Sequence, residues 1–253
     1  MIIDRIAPTK RPLGNVVQRQ SWRELSFLHW RLPAEALRPL VPAALEIDTF
    51  EGDAFIGVVP FTMTGVRPIW APAVPGVSNF HETNVRTYVH HRGENPGVWF
   101  FSLEAASRIA VAIARGFWHL PYHYARMSLV KSPEGVIRYT SERRSPPPLP
   151  AVCNVTCRPI SEPKAATPGT LEHFLAERYV LYADAGGGGL RRGCVHHAPY
   201  PLQTAEVSAW DESLLAAAGI ARPPGEPFAH YASGVDVEIF PLERLIDAKG
   251  AEP

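Results

Sequence analysis

The sequence predicts an α+β protein of mainly antiparallel β structure with a few short helices. Three observations predict it. Apolar, β-branched runs are repeatedly joined by turns rich in Gly, Pro, Asn or Asp, as in hairpins. Only a few stretches carry helical periodicity, and those are short. Strands and helices do not alternate as parallel βαβ units require. At 253 residues, 46% of them hydrophobic, the chain can bury a large core as one β unit.

Residues 1–21, with Pro8, Pro12 and Gly14, read as an N-terminal arm, and residues 22–253 as one domain. From Trp22 to Arg31 the run alternates, with Trp22, Glu24, Ser26, Leu28 and Trp30 on one side, as in a strand. Pro33 opens a short helix that Pro42 closes. Leu45–Phe50 and Ala54–Val66 flank Glu51-Gly52-Asp53 as a hairpin, and Thr83–His91 and Val98–Leu103 flank the turn residues 92–97 as a second. Ile109, Ile113 and Phe117, with Ala110 and Ala114, fall at helical spacing behind the cap Ser107. A third hairpin joins Tyr124–Val130 to Val136–Glu142, and a strand follows at Val152–Pro159. A helix starts near Thr170. Tyr179–Ala183, Leu190–His197, Ala205–Trp210, a helix over Glu212–Ala218 and a strand at Val235–Pro241 complete the chain. The four glycines at 186–189 sit between two strands with no helix after them, so they read as a hairpin loop and not as a phosphate-binding loop.

The 25 basic and 25 acidic side chains cancel, which argues against a nucleic-acid or membrane-adsorbing surface. No window of 18 apolar residues occurs, the start lacks the apolar core of a signal peptide, and three cysteines do not make a disulfide framework, so a cytoplasmic location is expected. His90-His91 and His196-His197 occupy consecutive strand positions and point to opposite faces, and Pro121 separates His119 from His123. No metal and no cofactor is therefore expected.

Several strings in order carry a family likeness: FLHWRLPAEALRPLVPAALEIDTFEGDAFIGVVPF, FHETNVRTYVHH, GVWFFSLEA, ARGFWHLPYHYARM, LEHFLAERYVLYA and VHHAPYPLQ. Together they resemble the YqjF-like family, a bacterial domain of unknown function, from about Trp22 to Pro241. That family in turn resembles acetoacetate decarboxylase, which implies a barrel-like antiparallel sheet around a small-molecule pocket. The decarboxylase carries an aromatic, proline, lysine, lysine segment, and its nearest match here is Trp118-His119-Leu120-Pro121-Tyr122-His123. Tyr122 and His123 stand where the two lysines would be. Neither a phenol nor an imidazole can condense with a ketone to an imine. The only lysines are Lys10, Lys131, Lys164 and Lys249, all in segments that read as exposed, so Schiff-base chemistry is not expected.

The strongest chemical signal lies in Glu82–Tyr88. Period-two alternation puts Glu82, Asn84, Arg86 and Tyr88 on one face, a polar set that suits the lining of a cavity. There an arginine can grip a carboxylate and a nearby carboxyl can move a proton; the resemblance matches Glu82 to a pocket glutamate of the decarboxylase. A buried structural ion pair is the competing reading. Arg115, Tyr122, His123 and Arg126 surround the missing lysine pair and are the next candidates. Catalytic roles fall to Glu82, Tyr122 and His123, and ligand-binding roles to Asn84, Arg86, Tyr88, Arg115 and Arg126. Glu177 at a helix C-terminus calls for a cation, and Arg192 is the expected partner.

These residues fit an enzyme acting on a small, anionic organic molecule, a lyase or hydratase using acid–base chemistry without a Schiff base. They also fit a metabolite-binding protein without turnover, or, if the inner face is packed solid, a structural or partner-binding module. A small-molecule ligand is the expected partner, and the strand edges leave a homo-oligomer open. A cavity holding Glu82 and Arg86 together separates the first two readings from the third.

Overall fold

The computed structural model describes residues 3–245. Its thirteen strands belong to one sheet: β1 (Gln18–Leu32), β2 (Glu46–Ile47), β3 (Ala54–Pro68), β4 (Phe80–His91), β5 (Glu94–Ala105), β6 (Tyr122–Lys131), β7 (Ile137–Ser145), β8 (Val152–Pro159), β9 (Val180–Asp184), β10 (Leu190–His197), β11 (Leu202–Glu212), β12 (Phe228–Ile239) and β13 (Glu243–Arg244). The α-helices are short: α1 (Ala34–Leu37), α2 (Arg108–Ile113), α3 (Leu171–Ala176) and α4 (Leu214–Ala217). Pairing is antiparallel except where β5 meets β6 and β9. No helix among the described residues is long and apolar enough to cross a membrane.

The sheet forks twice. One edge of β5 pairs with β4, while its other edge pairs with β9 at Val98–Trp99 and with β6 at Leu103–Ala105. One edge of β12 pairs with β1, while its other edge meets β11 near Tyr231 and β10 near Val237. The strands β1, β3, β4, β5, β9, β10 and β12 therefore close a ring, and β1, β3, β4, β5, β6, β7, β8, β11 and β12 close a second. The rings share β12, β1, β3, β4 and β5 as a common wall.

A wall between two compartments is buried on both faces, and β4 reads that way: every residue from Glu82 to His90 is buried. Leu25, Phe27, Val59, Phe61, Leu103 and Val195 fill the first ring. Leu28, Trp30, Ile56, Val85, Ile137 and Val155 fill the second. The β4–β5 hairpin closes on Arg92 and Gly93, both at positive φ (54° and 79°), which matches the right-handed twist of the strands. Ser107 caps α2 by accepting from the Ala110 N–H at 3.2 Å.

Several expectations need correction. The arm ends earlier, because β1 starts at Gln18, and the arm is docked: Val16 is buried and Arg5 pairs with buried Asp48. Alternation along β1 is broken at Glu24, which sits at φ 53° beside a register shift. Trp22, Leu25 and Phe27 consequently face the first ring, and Leu28 and Trp30 the second. The segment before Glu51 does not form a hairpin with β3; only Phe50 bridges to Asp53, and β2 pairs with β4. In α2 the helical stripe is inverted. Ile109, Ile113 and Phe117 are exposed, while Val111 and Ala114 pack inward, because the small face is the one that fits the end of the first ring. The last strand spans residues 228–239, longer and earlier than its apolar end suggested.

Gly97 allows β5 and β9 to approach: a Cβ there would lie 2.5 Å from the Val180 carbonyl oxygen. Gly97→Ala is expected to lower the free energy of unfolding by about 1–3 kcal/mol, read from urea denaturation. A neutral result would mean that the fork at β5 is not closely packed.

Candidate functional site

Inside the first ring lies a cavity of about 100 Å³ whose wall includes Glu82, Asn84, Arg86, Tyr122, Trp22 and Arg178. Alternation on β4 delivers the first three. Tyr122 reaches the same space because β6 starts beside Leu103 of β5. The Tyr122 hydroxyl donates to Glu82 Oε2 at 2.6 Å. Burial pushes the Glu82 carboxyl up to about 8, a rise that the Tyr122 bond opposes and the charge of Glu104 reinforces. Burial and the neighbouring Glu82 together push the Tyr122 phenol well above its ordinary value. At neutral pH this pair is therefore a carboxylic acid hydrogen-bonded to a phenol, with little negative charge.

The cations in the wall are not matched by it. Arg86 donates through Nη2 to the Leu175 carbonyl at 3.1 Å and lies 5.6 Å from the Phe27 ring, but its buried Nε has no partner. Arg178 donates through Nε to the Phe174 carbonyl at 2.8 Å and through Nη1 to Asp48 at 2.7 Å, leaving its buried Nη2 unpartnered. Asp48 also serves Arg5, so one carboxylate faces two guanidiniums there. The indole Nε1 of Trp22 is a third buried donor without a partner. With Glu82 protonated, a wall that is mostly apolar, with Leu25, Val59, Phe61, Leu103 and Val195, also holds residues whose buried N–H groups lack partners and an excess of positive charge.

The other expected site residues lie elsewhere. Tyr88 is fully buried behind the cavity, where its hydroxyl meets His29 Nε2 at 2.7 Å and the Leu175 carbonyl at 2.6 Å. His123, next to Tyr122 on β6, points to the opposite face: its Nδ1 donates to the Pro146 carbonyl at 2.9 Å, and burial lowers its pKa to about 4. Arg126 is exposed on β6. Arg115 is exposed in a π-helical turn at 114–118 and donates to the Tyr122 carbonyl at 2.8 Å, so it positions Tyr122 from outside. Glu177 does not pair with Arg192, which binds Glu243 instead. Its carboxylate accepts from the Tyr179 hydroxyl at 2.6 Å and the Tyr200 N–H at 2.9 Å. Sequence reasoning missed Arg178 and Trp22 as cavity residues. An arginine between a helix end and an apolar strand was the available signal for Arg178.

The second ring has its own ion pair. Arg143 Nε donates to Glu104 at 2.9 Å, with both side chains buried, and Ser102 donates to the same carboxylate at 3.3 Å. Cys153 and Cys157 are buried in this core as free thiols. Burial pushes both thiols up, which suits small apolar fillers and not nucleophiles.

A closed, mainly antiparallel sheet around a small cavity is the acetoacetate decarboxylase-like fold. An acetoacetate decarboxylase-like enzyme from Sphingomonas wittichii RW1 superimposes with a TM-score of 0.61 at 12% identity, covering 94% of this chain and 96% of that one. The enduracididine biosynthesis enzyme MppR, in complex with pyruvate, superimposes at 0.62 and 12% identity over 94% of each chain. Acetoacetate decarboxylase from Legionella pneumophila gives 0.61 at 11% identity, over 95% of this chain and 92% of that one. The chain belongs to the DUF2071 family, described as an uncharacterized conserved protein, which it matches over residues 19–236. It is 40% identical over 233 residues to the uncharacterized protein YqjF of Bacillus subtilis (strain 168), covering 92% of this chain and 94% of that one.

The raised carboxyl has a stability consequence whose sign is fixed. Because folding lifts Glu82 from 4.5 to about 8, the folded protein keeps a proton that the unfolded chain loses across that window. The resulting stabilisation is whole below pH 4.5 and drains away as pH rises to 8. Glu82→Gln abolishes this titration, so the variant should gain on the wild type by up to about 1.4 kcal/mol per pH unit between about pH 5 and 8. Urea denaturation at about pH 5, 6.5 and 8 measures it, and a gap that does not change with pH would place the carboxyl near its ordinary value.

Proposed function

We propose that this protein binds a small organic carboxylate inside the first ring and acts on it as a lyase or hydratase, using Glu82 and Tyr122 for proton transfer and no Schiff base. The observation that carries this reading is the single cavity wall on which a protonated carboxyl and two arginines with unpartnered N–H groups stand together. Arg86 and Arg178 supply a fixed grip for a carboxylate, with Trp22 as a further donor. Glu82, protonated at neutral pH and poised near 8, can give its proton to a carbonyl or a departing hydroxyl, and the Tyr122 O–H then stabilises the carboxylate that forms. A volume of about 100 Å³ suits a short-chain acid and excludes nucleotides and coenzymes. Pyruvate bound to the structural neighbour MppR supports an oxo acid by analogy of fold alone.

Among the described lysines, Lys10 and Lys164 are exposed and Lys131 pairs with Glu24 at 3.0 Å, so none of the three reaches the cavity; Lys249 lies outside the described residues. Turnover of a panel of short-chain oxo and hydroxy acids, followed by NMR, together with calorimetric binding, tests the proposal. At least one acid should turn over, with a rate that falls as pH rises past about 8. Glu82→Gln should lower kcat by about 10²–10⁴-fold with binding retained, whereas Arg86→Ala should abolish binding. Borohydride added with acetoacetate should leave no covalent adduct. Binding without turnover would make the protein a metabolite binder, and binding that survives loss of Arg86 would sink the anion grip.

A further inference from the structure

The wall of the first ring has a breach. On the edge of β5 away from β4, β9 pairs only with Val98 and Trp99 and β6 only with Leu103 to Ala105. Among the described residues, no strand pairs with Phe100, Phe101 or Ser102 on that edge. Opposite the breach, a β-bulge sets Val85 against Ser102 but Arg86 against Phe100, leaving Phe101 as the extra residue. The bulge turns Phe100 to the inner face beside Arg86 and Phe101 to the opposite face, half-buried against the second ring's core. Over the breach lies an open groove of about 480 Å³, walled by Trp99, Phe101, Arg115, His119 and Asp184. Among the described residues, Phe100 alone lines both this groove and the cavity, and it is half-buried.

We propose that small molecules enter the cavity through this breach and that the Phe100 ring is the specificity-determining gate between groove and cavity. An aromatic side chain on an edge with no strand partner can swing by rotamer change without breaking a ladder hydrogen bond. Its bulk sets an upper size for what passes, and Arg86 stands directly behind it to receive an anion. Gln20 offers the competing route, since it lines the cavity and also a surface groove of about 320 Å³. There the wall is continuous on the β12 side, with Gln20 paired to Val237, and the Gln20 amide oxygen is held by Gln18 Nε2 at 2.9 Å. The gate stands on geometry alone and holds whether the cavity catalyses or only binds.

A thiol placed inside the cavity reports on the route without any knowledge of the ligand. Val59→Cys puts a thiol on the cavity wall, and Cys194→Ser removes the half-buried native thiol. The probe is 2-sulfonatoethyl methanethiosulfonate, whose reaction with the introduced thiol is followed by mass spectrometry. Phe100→Ala should raise the modification rate at least tenfold, Phe100→Trp should lower it by a similar factor, and Gln20→Ala should leave it unchanged. The opposed directions separate a gate from a loosened fold, since loosening speeds the reaction in both Phe100 variants. Rates indifferent to Phe100, or raised by both of its substitutions, or raised by Gln20→Ala alone, would overturn the proposal.

Discussion

The structure depends on β5, a strand that pairs with three others although it has only two edges. It meets that demand by dividing one edge: Val98 and Trp99 serve β9, and Leu103 to Ala105 serve β6. Both contacts are parallel, and the two partners then diverge into separate rings. Without the divided edge the chain would close one compartment only. The fork at β12 completes the arrangement from the other side, so five strands become a wall shared by both rings. This explains why β4, inside that wall between β3 and β5, carries polar residues on one face and still buries them all. Burial on both sides is what raises Glu82 and leaves Arg86 short of partners.

The charge inside the first ring follows from which groups found partners within the protein. In the second ring Glu104 and Arg143 neutralise each other, an arrangement that needs no ligand. In the first, Glu82 turns to Tyr122 and not to Arg86, so acid and cation stay separate in one cavity. Two carboxyls on neighbouring strands of one wall thus have different fates. Glu104 is committed to an ion pair, and Glu82 is held as an acid.

What the sequence could reveal tracks the range of the interaction involved. Alternation is local, so the inward set Glu82, Asn84 and Arg86 was legible from one short run, as were the cap at Ser107 and a hairpin within residues 92–97, although the turn is tighter than expected and β5 already begins at Glu94. Breaks in alternation were not legible: Glu24 at positive φ reassigns Leu28 and Trp30 to the other compartment. Alternation also separates neighbours, which is why Tyr122 faces the cavity while His123 does not, although likeness to a lysine pair grouped them. Arg178 escaped notice because its role arises from three partners, namely Asp48, the Phe174 carbonyl and the cavity itself. The helix α2 misled for a different reason, since its large apolar residues face outward and its small ones inward, an inversion that periodicity alone cannot detect.

The Tyr122 phenol bears on the charge of the cavity as well as on its geometry. A cationic side chain in place of Tyr122 would add to the positive charge of Arg86 and Arg178. The phenol adds no charge, and its hydrogen bond fixes the orientation of Glu82. Burial then holds the Glu82 carboxyl up at about 8. An amine condenses with a ketone to an imine, which neither a carboxyl nor a phenol can do. Acid, phenol and guanidiniums thus share one wall without neutralising one another.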